Sequence, residues 1–194
     1  LCMTDLNTEL SPSVASVVSN ELNADTPIMA FAQLQLAAPI ARAVAEMGYE
    51  TMTPIQAQAI PVVLTGQDVM GAAQTGTGKT AAFALPLLQR MMKHENPSTS
   101  PARHPVRALV LLPTRELADQ VTVEIRRLAR AADNIKVVTV CGGVPLRGQR
   151  ASLENGAHIV VGTPGRVMDL LERGYLSLEG LNTLVLDEAD RMLD

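Results

Sequence analysis

A chain of 194 residues can bury one core of its own, and its 47% apolar content includes no run near the ~20 residues that a membrane span needs. A net charge of −4 excludes a broad basic face for holding nucleic acid, so any such contact must be local and made by a few residues. Phe31, Phe83, Tyr49 and Tyr175 are the whole aromatic complement, too few for a base-stacking platform, and Cys2 and Cys141 are too few for a disulfide framework or metal site; a reducing, cytoplasmic setting is the expectation.

Residues 1–27 are polar, rich in Ser, Asn and Asp, and lack a sustained apolar period, which predicts a disordered N-terminal tail. They also lack the basic start and compact apolar stretch of a secretory signal. Residues 28–194 form the predicted domain. Apolar residues at helical spacing over 38–47 stop at Gly48, a helix end. Short apolar runs at 69–73, 108–112, 135–140, 158–161 and 184–186 then alternate with amphipathic stretches at 79–93, 115–131, 146–154 and 165–173. Strand alternating with helix predicts an α/β fold, a mainly parallel sheet covered by helices on both faces. The polar stretch 95–105 is the one long loop predicted inside it. His94, His104 and His158 have no ligand-like spacing.

The run Ala73, Gln74, Thr75, Gly76, Thr77, Gly78, Lys79, Thr80 follows a predicted strand and opens a helix. Glycines there let backbone N–H groups turn inward, and the helix start favours anions, so the run is a phosphate cradle. Lys79 would reach the β- and γ-phosphates and the Thr80 hydroxyl would ligate Mg²⁺. Such a site needs an acidic group at a neighbouring strand end, and 184–186 runs straight into Asp187, Glu188, Ala189 and Asp190. Asp187 is placed to hold Mg²⁺ through water, and Glu188 to orient and deprotonate an attacking water. Alone, a glycine-rich turn and an acidic helix start would account for the two runs. Together they make a nucleotide site.

With these motifs in order, the sequence from Phe31 to Asp194 closely resembles the DEAD-box RNA helicases of superfamily 2, whose cradle also begins with Ala. The resemblance implies a RecA-like P-loop domain that binds ATP and Mg²⁺, with Lys79, Asp187 and Glu188 catalytic. Residues 48–56 look like that family's Q motif: Gln56 would select adenine by its donor–acceptor edge, and Phe31 or Tyr49 would pack on the base. Pro113, Thr114 and Arg115, the pair Gly142 and Gly143, and Thr163, Pro164, Gly165 and Arg166 resemble the family's RNA-contacting motifs. Each follows a predicted strand and offers hydroxyls, backbone N–H groups or an Arg, which hold phosphates without reading sequence. The resemblance also implies interdomain coupling for Asp190, and a second RecA-like domain that supplies arginine fingers and closes on RNA to open short duplexes. Two other readings stand beside it: a DNA helicase or other P-loop ATPase, and a nucleotide-gated RNA clamp with little unwinding.

Overall fold

The computed structural model describes residues 1–5, 16–19, 28–92, 105–132 and 134–193. The expected loop at 95–105 lies outside these except for its last residue, as do His94 and His104.

Strands β1 (Cys2–Asp5), β2 (Ser16–Ser19), β3 (Val69–Ala72), β4 (Ala108–Leu111), β5 (Val137–Val140), β6 (Ile159–Gly162) and β7 (Thr183–Leu186) form a sheet in the order β2-β3-β1-β7-β4-β6-β5. Helices α1 (Ala38–Glu46), α2 (Pro54–Leu64), α3 (Lys79–Met92), α4 (Arg115–Leu128), α5 (Leu146–Glu154) and α6 (Pro164–Glu172) pack around it. The five expected strands and five expected helices are all present. The expected helix over 115–131 closes sooner, where Ala129 caps it through bonds to the Arg127 and Ile125 carbonyls. The strand expected from residue 135 begins at Val137, because the Ile135 N–H is drawn back to the Ala132 carbonyl. Helix α2, by contrast, has no clear apolar stripe and carries Pro61 in its interior.

The disordered tail expected over 1–27 is corrected at both of its described segments. β2 pairs parallel to β3, and β1 runs antiparallel between β3 and β7. Met3 stands opposite both Val69 and Val185 in register, and the three side chains are buried together. A four-residue strand needs no amphipathic signature when neighbouring strands on both sides supply its hydrogen bonds. The remaining residues of that stretch, 6–15 and 20–27, lie outside the described residues.

The two faces of the sheet are covered unequally. α1 to α4 bury one face, where α3 is apolar all round and every residue from Ala81 to Leu88 is inaccessible. α5 and α6 cover the other face over β4, β6 and β5, through Val140, Val160, Val167 and Leu170. Beyond them Met70 on β3 is 52% exposed. The carboxyl ends of β3, β4, β5, β6 and β7 meet along one edge, where parallel α/β sheets place their ligand crevices.

Candidate active site

The cradle leaves β3 at Ala72 and enters α3 at Lys79. Gly76 and Gly78 take left-handed backbone angles, φ +80° and +84°, and the Thr77 hydroxyl donates to the Gln74 carbonyl at 2.6 Å to close the turn. Gly78 is needed for a second reason. A Cβ there would lie 2.2 Å from Gln56 Nε2.

That contact is a clasp between two motifs. Gln56, only 4% exposed, donates from Nε2 to the Gly78 carbonyl at 3.1 Å and accepts the Thr53 N–H on Oε1 at 2.9 Å. One N–H and one lone pair of the carboxamide remain for another group. The Thr53 hydroxyl beside Gly78 is buried and has no hydrogen-bond partner among the described residues.

Across the cleft, β7 delivers Asp187, whose N–H is tied to the Leu111 carbonyl at 3.0 Å. Its Oδ1 takes the Glu188 N–H at 3.1 Å and lies 3.7 Å from Lys79 Nζ, so Oδ2 is left for a metal or a metal-bound water. Glu188 has φ 52° and ψ 44°, a left-handed conformation that costs a non-glycine residue energy and is typical of functional positions. Its carboxylate is met by Arg191 Nη1 at 2.8 Å. Lys79, Thr80, Gln120, Asp187 and Glu188 line a cleft of about 170 Å³.

The aromatic pair sits elsewhere. Phe31 is 4% exposed and stacks on Tyr49, ring centroids 5.6 Å apart at 30°. Neither ring lines the cleft between cradle and β7. Tyr49 Oη donates to Glu124 Oε1 at 3.5 Å, and both groups are pushed up in pKa, first by burial.

The three later loops follow β4, β5 and β6 as expected. Thr114 caps α4 by accepting the Leu117 N–H at 3.4 Å, next to Pro113, while Arg115 is exposed and loosely paired with Asp119 at 3.7 Å. Thr163 accepts the Gly142 N–H at 3.4 Å, and Arg166 donates to the Val144 carbonyl at 3.0 Å, so the loop after β6 holds the loop after β5. Gly143 is exposed with φ +74°; Pro164 starts α6 and Gly165 is exposed beside it. Asp190 is exposed on a single 3₁₀ turn, Ala189–Met192.

Sequence reasoning missed the α4 face that completes the cleft. Leu117, Gln120 and Val121 line it, and Glu124 continues the same face. Their spacing of three, four and seven residues was the available signal.

The comparisons with known proteins agree with this geometry. A profile of the DEAD/DEAH box helicases matches residues 53–194. The chain belongs to that family. It is 56% identical over 149 residues to the ATP-dependent RNA helicase DbpA of Escherichia coli (strain K12), covering 77% of this chain and 31% of that protein. It is 49% identical over 163 residues to the ATP-dependent RNA helicase DeaD of the same strain, covering 84% of this chain and 25% of that protein. A crystal structure of a DEAD box protein from the hyperthermophile Methanococcus jannaschii superposes with a TM-score of 0.74 at 40% identity, over 85% of this chain and 43% of that one. The chain thus spans between a quarter and a third of the length of these curated relatives. Among the described residues, no helix is long and apolar enough to cross a membrane.

Proposed function

We propose that this chain is the nucleotide-binding domain of an ATP-dependent RNA helicase, binding ATP with Mg²⁺ and holding RNA by its backbone. The observation that carries the reading is the cleft itself, where Lys79, Thr80, Asp187 and Glu188 converge beside the clasp between Gln56 and Gly78.

The side chains present fit the nucleotide and the metal. The cradle offers N–H groups and the start of α3 to phosphate oxygens, and Lys79 adds a positive charge. The Thr80 hydroxyl and Asp187 Oδ2 are hard oxygen donors of the kind Mg²⁺ prefers, and the buried Thr53 hydroxyl faces the cradle. When bound, Mg²⁺ neutralises charge on the β- and γ-phosphate oxygens. Gln56 offers its free N–H and lone pair to adenine. Lys79 leaves Asp187 to reach the phosphates, and Glu188 accepts the proton of the attacking water. Arg191 holds the Glu188 carboxylate in place.

Thr114, Arg115, Gly143 and the start of α6 lie on the same edge and bind RNA phosphates without reading bases. In the longer protein a second RecA-like domain supplies the cations that stabilise the γ-phosphate in transit, and Asp190 couples the two. The test is ATP hydrolysis by the longer protein, with RNA and with DNA of equal length. Stimulation by RNA alone is the expected result, and equal stimulation by DNA overturns the choice of RNA.

A further inference from the structure

A pair of glycines is the loosest link a backbone can have, and ordering it costs more entropy than ordering other residues. A loop that holds phosphates through Gly142 and Gly143 binds well only if something else fixes it beforehand. The fold grips it on both flanks. Downstream, Arg166 donates to the Val144 carbonyl at 3.0 Å. Upstream, Gln149 of α5 donates from Nε2 to the Cys141 carbonyl at 2.9 Å. The other end of the same peptide unit, the Gly142 N–H, goes to Thr163 Oγ1 at 3.4 Å. Thr163 is itself held, its N–H bonded to the Val140 carbonyl at 3.1 Å.

Gln149 is a costly choice for its place. Among the described residues of α5 it alone is buried, at 6% exposed, where an amphipathic helix ordinarily sets an apolar side chain. A carbonyl only accepts, so the amide must turn Nε2 to Cys141. Its Oε1 is then buried with no hydrogen-bond partner among the described residues, a state that costs stability. A buried amide half used in this way is kept for what it holds. We propose that Gln149 is a positioning residue for RNA. It locks the Cys141–Gly142 peptide, so that the Gly143 N–H, aimed only by the two torsions of Gly142, is in place before a phosphate arrives. This role rests on the RNA reading above and goes beyond it, because Gln149 is buried and acts on RNA only through that peptide.

The experiment titrates the longer protein with a short oligouridylate and follows ATP hydrolysis, giving a KM for RNA and a kcat at saturation. Gln149→Met keeps the length and the burial but has no donor. It should raise the KM for RNA by roughly 3–10-fold, the effect of one lost hydrogen bond, with kcat and the KM for ATP unchanged. The rise should be the same at every salt concentration, because no charge is removed. Gln149→Asn keeps the amide but withdraws it by one methylene, so it should raise the KM for RNA as the methionine does; it also serves if the methionine variant fails to fold. A matching fall in kcat or rise in the KM for ATP marks a general loosening of the domain and overturns the proposal. So does a flatter dependence on salt, which would mean that a basic side chain has moved instead. No stimulation of the unmutated protein by RNA overturns the RNA reading and the role of Gln149 with it. Stimulation that ignores Gln149 overturns the role alone.

Discussion

Along one edge of the sheet, the nucleotide cleft and the loops beyond β4 hold their polar groups in different ways. In the cleft the groups are buried and joined across the sequence: Gln56 to Gly78, and Lys79 to Asp187, with side chains 13% and 7% exposed. At the first of the loops they are exposed and joined locally, as Arg115 is to Asp119 one turn away, the two side chains 53% and 56% exposed. Buried, fixed partners let a site discriminate, because a wrong group leaves a polar atom unpaired. Exposed side chains can meet any phosphate. On the proposed function, this contrast would put selectivity and chemistry in the cleft and unselective holding in the loops.

The largest effect should come from Glu188. Glu188→Gln in the longer protein keeps shape and removes basicity, so ATP binding should persist while hydrolysis slows by roughly 10²–10⁴-fold. Single-turnover hydrolysis beside equilibrium binding checks it. Near-normal turnover would move the chemistry away from the residue with the left-handed backbone.

Next comes the strand between the two walls of the cleft. Met3 packs with Val69 on the cradle strand and Val185 on the strand that carries Asp187. Met3→Ala should destabilise the chain by about 2–5 kcal/mol, as for other buried large-to-small changes. Urea unfolding measures it. A change within about 0.5 kcal/mol, as at an unpacked surface site, would restore the reading of residues 1–27 as a tail.

Met3 also shows where the sequence is readable. The strands from β3 onward announce themselves as continuous apolar runs between turn signals, and each lies within about two residues of its expected place. β1 does not, because Cys2–Asp5 holds only two apolar residues and owes its order to partners more than 60 positions away. The cradle and the acidic strand end were equally legible, since backbone geometry and local spacing define them. The clasp from Gln56 to Gly78, the burial of Phe31 and the contact of Tyr49 with Glu124 were not. Each depends on how helices settle against one another, which one sequence does not encode as a local pattern.

Gln56 probes the selective side at smaller scale. Gln56→Ala should erode the preference for ATP over GTP by ~1–3 kcal/mol, the range for bidentate base contacts. It should also weaken both nucleotides alike, because the clasp on Gly78 is lost with the amide. Competition binding with the two nucleotides separates the effects. Equal affinity of the unmutated chain for ATP and GTP would remove adenine selection from this residue.

The smallest effect belongs to the loops. Two arginines stand there, and only one is a clean probe. Arg166 is 15% exposed and donates to the Val144 carbonyl, so replacing it releases the turn at Gly142 and Gly143 as well as a charge. Arg115 instead meets Asp119 in an exposed pair worth little. Arg115→Gln should therefore weaken RNA binding by a similar factor for every unstructured sequence tested. The magnitude of the slope of log affinity against log salt should fall by about one, because one phosphate contact disappears. Titrating the longer protein with homopolymers of equal length over a range of salt gives both quantities. A loss confined to one base composition would mean that this loop reads sequence, and the division between a selective cleft and an unselective edge would fail at its weakest point.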